Sequence, residues 1–120
     1  MTNSTHVRKE SPLACDMSAI ESSRREQHVA TGREVLGAVT EILELPDGYA
    51  FRLPSEAHTL LKAAEFISLE KLCCPFLGFV LEVEPEGGSV WLRLTGREGV
   101  KAFIREEVSG LLGGAINWAG

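Results

Sequence analysis

Two adjacent cysteines, Cys73 and Cys74, are the residues of this sequence best suited to chemistry. They end a stretch of helical periodicity and are followed directly by Pro75 and Phe76. Bridged cysteines usually hold their Cα atoms about 4.4–6.8 Å apart, whereas neighbouring residues are about 3.8 Å apart. The two thiols are therefore poorly placed to form a disulfide with each other. They are well placed to offer two sulfurs to one soft ion.

Three further residues extend this pair into a candidate site. Cys15 lies far upstream, before the first predicted helix. Glu70 precedes the pair by three and four residues, so on a helix its carboxylate shares their side of the last turn. Lys71 is three residues before Cys74 and favours its thiolate, although the negative end of the helix dipole opposes ionisation. We predict a metal site formed by Cys15, Cys73 and Cys74, supported by Glu70 and Lys71.

The donor set indicates which ions such a site would take. Thiolates select soft ions such as Cu(I) and Zn(II), and three sulfurs without a fourth strong ligand suit a trigonal Hg(II) or As(III) centre. Zinc normally requires four ligands, which Glu70, His28 or His6 could complete. The spacing favours exposure for His28, on a polar helix face, and for His58. A shared ion requires Cys15 to lie within roughly 4 Å of the pair, and a separation beyond about 8 Å would require rearrangement.

Four other interpretations of the cysteines remain open. Free cysteine is often a small buried hydrophobe, and Cys74, in helical phase with Leu60 and Ile67, is expected to face the core while Cys73 faces outward. The pair can also be a strained redox pair. The chain can instead be a thiol-dependent lyase or reductase, with Cys73 or Cys74 as nucleophile and Glu70 as proton donor. The fourth interpretation is a structural domain that dimerises through an open sheet face.

The bulk composition narrows the class of protein. The chain has 120 residues, 44% of them hydrophobic and 24% charged, which is typical of one globular domain. A net charge of −5 argues against nucleic acid as a partner. We expect neither a signal peptide nor a membrane span, and therefore a cytoplasmic protein whose thiols stay reduced. The expected partner is a metal ion or a small thiophilic ligand, with a homodimer also possible.

The elements that must position the thiols follow from changes in hydrophobic period. Helical spacing predicts helices from about residue 19 to 36, after Pro54, and around residues 100–108. Alternating patterns with turns at residues 46–48 and 85–88 predict two β-hairpins between them. The order α-β-β-α-β-β-α indicates an α+β fold, a four-stranded antiparallel sheet with helices packed on one face. We expect a disordered arm at residues 1–12, a single domain at 13–109 and a Gly-rich tail at 110–120.

The chain resembles a family of small bacterial proteins that have no established activity. The resemblance rests on Leu13-Ala-Cys15, on Ser68-Leu-Glu-Lys-Leu-Cys-Cys-Pro-Phe76 and on the segment Trp91–Val100. The family carries a cysteine before the first helix and a Glu-x-x-Cys-Cys-Pro-Phe motif. The resemblance implies an association with mercury or arsenic resistance genes, and it marks Cys15, Glu70, Cys73 and Cys74 as the site.

Overall fold

The computed structural model of the chain describes residues 10–114, 116 and 118. It contains three helices and a four-stranded antiparallel sheet in the predicted order, which confirms the fold class. The elements are α1 (Ser22–Gly37), β1 (Glu41–Leu45), β2 (Gly48–Leu53), α2 (Ala57–Cys73), β3 (Gly78–Val83), β4 (Val90–Thr95) and α3 (Val100–Leu111). A short 3-10 helix, Met17–Ala19, precedes α1.

The two hairpins form one sheet with the strand order β1-β2-β4-β3. Strands β2 and β4 are central and antiparallel, with Phe51 opposite Leu92. Gly48 permits this pairing, because a Cβ there would lie 1.9 Å from the Leu94 carbonyl oxygen. The alternating side chains Val90, Leu92 and Leu94 are buried, so one face of the sheet carries the core.

The helices lie on that face, and α1 packs mainly against α2 and also contacts α3. Its buried residues recur at intervals of three and four: His28, Thr31, Gly32, Val35 and Leu36. The α1–α2 contact is what brings α1 to the cysteine pair.

The predicted start of α1 is wrong by a few residues. Ser18 belongs to the 3-10 helix, where it donates its backbone N–H to the Asp16 side chain at 3.1 Å. The helix α1 itself begins at Ser22. The short 3-10 helix before α1 therefore fixes the chain just after Cys15.

Parts of the predicted termini fall outside the described residues. Residues 1–9 of the predicted arm lie outside them, as do residues 115, 117, 119 and 120 of the predicted tail. Within the tail, the ring of Trp118 contacts that of Tyr49, with ring centroids 4.9 Å apart. Among the described residues, no helix combines the length and the apolar character needed to cross a bilayer.

Candidate metal centre

The cysteine pair is positioned by the end of α2. The N–H of Cys74 donates to the Glu70 carbonyl at 2.8 Å, the last bond of the helix. Pro75 then ends the helix, because it has no N–H to continue the ladder. The N–H of Leu77 donates back to the Cys74 carbonyl at 3.1 Å, closing a β-turn with proline at its second position. This turn directs the chain into β3 and holds both thiols at the helix end.

Cys15 is brought to the pair by a backbone bond between distant segments. The N–H of Asp16 donates to the Cys73 carbonyl at 2.9 Å. That carbonyl belongs to the last turn of α2, where carbonyls lack helical partners, so the incoming segment satisfies an otherwise unpaired group. The bond places Cys15 beside the end of α2.

The three sulfur atoms form one cluster. Ligand atoms of Cys15, Cys73 and Cys74 all lie within 4.8 Å of one another, and the Sγ atoms of Cys73 and Cys74 are 3.9 Å apart. Metal–sulfur bonds of about 2.3 Å would separate sulfurs by about 4.0 Å in a trigonal centre and about 3.8 Å in a tetrahedral one. The cluster therefore has the dimensions of a site that could hold a metal ion.

The burial of the pair differs from the expectation. Cys73 and Cys74 are both fully buried, so neither sulfur faces outward as Cys73 was expected to do. Cys15 is half-buried and is the most accessible thiol of the three. All three cysteines are free thiols. An ion reaching the cluster would therefore meet Cys15 first.

Glu70 connects the thiols to α1. Its Oε1 lies 3.5 Å from Cys73 Sγ, and its Oε2 lies 3.4 Å from Cys74 Sγ. The same Oε1 is 2.8 Å from Nε2 of His28. Lys71, the other residue predicted in support, is exposed on α2, and no hydrogen bond joins it to a sulfur in the part of the chain that the structure describes. Glu70 thus has the predicted position, while the nearby positive charge comes from α1.

His28 is the functional residue that sequence reasoning placed wrongly. It was expected on the solvated face of α1, but its side chain is only 4% exposed. Its ring stacks on Phe66 with centroids 5.5 Å apart. Nδ1 is buried, and it has no hydrogen-bond partner among residues 10–114, 116 and 118. His58, by contrast, is exposed as predicted and pairs with Glu34 at 2.5 Å.

His28 carries the positive charge of the site, and Cys73 carries a negative charge. Burial alone would lower the pKa of His28, but hydrogen bonds to Cys73 and Glu70 raise it from 6.5 to about 9. The pKa of Cys73 is lowered from 9.0 to about 6, first by a hydrogen bond from Cys74 and then by one from His28, against the effect of burial. At neutral pH the site therefore holds an imidazolium and one thiolate.

The other two thiols keep their protons at neutral pH. Burial, followed by the neighbouring Cys73, raises the pKa of Cys15 to about 12. The pKa of Cys74 lies far above its usual range, first because Cys74 donates to Cys73 and then because it is buried. One negative sulfur in the cluster thus suppresses ionisation of its neighbours.

Two cavities adjoin the cluster, and Cys15 lines both. The outer hollow, about 350 Å³, is bounded by Cys15, Asp16, Cys73 and Pro75 together with Ser11 and Leu72. The inner cavity, about 100 Å³, lies towards α1 and α3, and its polar lining includes Cys15, His28, Glu70 and Glu107. Cys15 therefore separates a larger outer space from a smaller inner one.

A second donor set shares one atom with the first. Ligand atoms of His28, Glu70 and Cys73 also lie within 4.8 Å of one another. The imidazole of His28 and the carboxylate of Glu70 are hydrogen-bonded to each other, so in this arrangement neither is free to bind an ion. They stand ready as a fourth ligand only if that bond opens.

Comparisons with known proteins give no assignment for this chain. No protein-family model matches the sequence, and neither the curated proteins nor the solved structures contain a significant match.

Proposed function

We propose that this chain binds one soft metal or metalloid ion, Hg(II), As(III), Cu(I) or Zn(II), through Cys15, Cys73 and Cys74. The observation that carries the proposal is the convergence of three free thiols, from two segments nearly 60 residues apart in sequence, within 4.8 Å. Thiolate donors bind soft ions in preference to Mg²⁺ or Ca²⁺.

The electrostatics of the cluster support rapid capture of a cation. A thiolate is the form of cysteine that binds metals, and the lowered pKa of Cys73 supplies one at neutral pH. The positive charge on His28 balances the negative charge of this thiolate before an ion arrives. The His28 ring is held in place by Glu70, with Nε2 2.8 Å from Oε1. A cation would pass the half-buried Cys15, form its first bond with the Cys73 thiolate and then displace the protons of Cys15 and Cys74.

The number of sulfur ligands favours the thiophilic ions Hg(II) and As(III) over zinc. Three sulfurs complete a trigonal centre, whereas tetrahedral zinc needs a fourth ligand. The two groups that could supply it, His28 and Glu70, are bonded to each other. We propose a role in sequestering, delivering or sensing such an ion, accessory to heavy-metal resistance, in the reducing cytoplasm where three thiols persist.

Titration of the reduced full chain tests this proposal. Hg(II), As(III), Cu(I) and Zn(II) are added in competition with a small thiol, and thiolate-to-metal absorbance is recorded. We expect one equivalent of the ion to bind. In Cys15→Ser or Cys73→Ser the affinity for the ion should fall by more than the roughly 10- to 100-fold that loss of a supporting residue costs. Equal affinity in wild type and Cys73→Ser for every ion would refute the proposal.

A thiol-dependent enzyme is the second candidate, and the lowered pKa of Cys73 is the observation that favours it. A thiolate beside a carboxylate and an imidazolium is the arrangement of an activated nucleophile with an acid nearby. The complete burial of Cys73 opposes it, because a substrate must reach the sulfur. Rapid alkylation of Cys73 at neutral pH by a small haloacetamide would favour the enzyme, and slow alkylation would favour ion binding.

A further inference from the structure

The inner cavity is the feature near the thiols that binding of a bare ion leaves unused. It has a volume of about 100 Å³ and lies between α1, α2 and α3. Most of its wall is apolar and comes from the core: Leu36, Phe66, Leu77, Phe103, Ile104 and Val108. A bare ion held by three sulfurs would not enter this space, because apolar side chains offer no ligand that replaces the water around a cation.

Three of the polar residues that line the cavity belong to the thiol site. Cys15, His28 and Glu70 line the cavity where it meets the cluster. Glu107 also lines the cavity, and its pKa is raised, chiefly by burial. The cavity therefore combines a soft sulfur donor with a mostly apolar wall.

We propose that the cation bound at the three-thiol cluster carries an organic group, as an alkylmercury cation does, and that this group occupies the inner cavity. This inference rests on the proposed function and names its substrate class. Cys15 is the sulfur that lines the cavity, so an ion bound there has the apolar space directly beside it. A cavity of about 150 Å³ lined by Leu, Ile and Phe can hold a benzene molecule, so a cavity of about 100 Å³ suits a short alkyl chain.

The binding step is a ligand exchange without redox chemistry. With an alkylmercury chloride, the mercury–chlorine bond breaks, and chloride leaves with its electron pair. The Cys15 thiol releases its proton to solvent, and its sulfur supplies the electron pair of the new sulfur–mercury bond beside the cavity. The mercury–carbon bond stays intact throughout, and the alkyl group keeps its hydrogens.

A homologous series of probes tests the inference on the reduced full chain. Methyl-, ethyl- and propylmercury chloride are each partitioned between the protein and free cysteine, so that the strength of the sulfur–mercury bond cancels. Burying a methylene group contributes about 0.8 kcal/mol, so we expect the preference for the protein to rise about fourfold per added carbon. Inorganic Hg(II) is titrated alongside, and it measures the affinity of the three thiols for an ion without an organic group.

Two matched substitutions locate the organic group. Val29 lines the inner cavity, so Val29→Phe should fill it and flatten the series while leaving Hg(II) binding unchanged. Val80 is 51% exposed on β3 and does not line the cavity, so Val80→Phe should keep the rise. If Val29→Phe does not fold, Leu111→Ala, which enlarges the cavity, should improve the binding of propylmercury most.

The outcomes separate the inference from the proposed function. A flat series in the wild type with Hg(II) still bound would overturn the organic-group inference alone. A rise that persists in Val29→Phe, or a Leu111→Ala variant with no gain for propylmercury, would also overturn it, since the group would then lie elsewhere. Failure of Hg(II) to compete with free cysteine would overturn both.

Discussion

The backbone N–H of Asp16 donates to the carbonyl of Cys73 at 2.9 Å, and this bond places Cys15 beside the cysteine pair. It joins the segment before α1 to the end of α2 without using either side chain. The side chain of Asp16 is occupied instead with the N–H of Ser18. The three-thiol cluster therefore depends on backbone geometry at one position, and that position can be tested separately from the sulfurs.

Asp16→Pro is expected to weaken ion binding without removing a sulfur. Proline has no N–H, and the φ of Asp16, −111°, lies outside the range near −65° that proline allows. Cys15 should move away from Cys73, and the affinity for Hg(II) should fall about 10- to 100-fold, as for loss of a supporting residue. Competition titration measures the loss.

Asp16→Ala is the matched control for this change. It removes the side-chain cap on Ser18 but keeps the N–H that reaches Cys73, so ion affinity should stay within about threefold of the wild type while stability falls by about 1 kcal/mol. Equal losses of affinity in both variants would contradict a specific role for the backbone bond.

One thiol should titrate near pH 6 in the ion-free protein. The pKa of Cys73 is lowered to about 6, whereas that of Cys15 is raised to about 12. Ultraviolet thiolate absorbance should therefore show one early step, absent in Cys73→Ser and shifted to higher pH in His28→Gln. The exposed His58 provides the control, because His58→Gln should leave the step in place. Three thiols ionising together near a pKa of about 8.5 would contradict this account.

Ion binding near pH 7.5 should release about two protons. Metal-bound thiols are deprotonated, and of the three only Cys73 is already ionised at that pH, because the pKa values of Cys15 and Cys74 are raised. Titration with Hg(II) in a weakly buffered solution measures the release. Three protons would mean that Cys73 is an ordinary thiol, and one proton would mean that a sulfur stays outside the centre.

The stability of the reduced, ion-free protein should change little between about pH 6.5 and 8.5, because two effects cancel. The raised pKa of His28 gives stability that is complete below pH 6.5 and is lost as the pH rises through about 9. The lowered pKa of Cys73 gives stability that is complete above its unfolded value and is lost as the pH falls through about 6.

Removing either partner should expose the other effect. The free energy of unfolding of Cys73→Ser should fall with rising pH to the extent that Glu70 alone keeps the pKa of His28 raised, and that of His28→Gln should rise because Cys74 still lowers the pKa of Cys73. Denaturant unfolding at both ends of the range, with reductant present, measures these slopes. Slopes of the same sign in the two variants would show that the two groups do not carry opposite charges.

Local patterns in the sequence were sufficient to predict the fold. The change from helical to alternating spacing around Val39, and the turns at residues 46–48 and 85–88, predict the hairpins that the structure contains. Helical spacing from Ala57 predicts α2 and places Glu70 on the side of the cysteines. These features depend on neighbours within one element, which a sequence displays directly.

The composition of the site required information that no local pattern contains. The approach of Cys15 depends on a backbone bond across 57 residues, and that of His28 on the crossing of α1 over α2. The sequence did contain a signal for the burial of His28. It stands three, four and seven residues before Thr31, Gly32 and Val35, all of which are buried, so it shares their stripe on α1. The polar residues between them concealed that stripe.

The most direct test of the central claim is the number of sulfur atoms bound to the ion. X-ray absorption at the metal edge of the protein loaded with one equivalent of Hg(II) or As(III) counts them and measures their distances. We predict three sulfurs in the wild type and two in Cys15→Ser. One sulfur in the wild type, or the same number in both proteins, would contradict a centre shared by Cys15, Cys73 and Cys74.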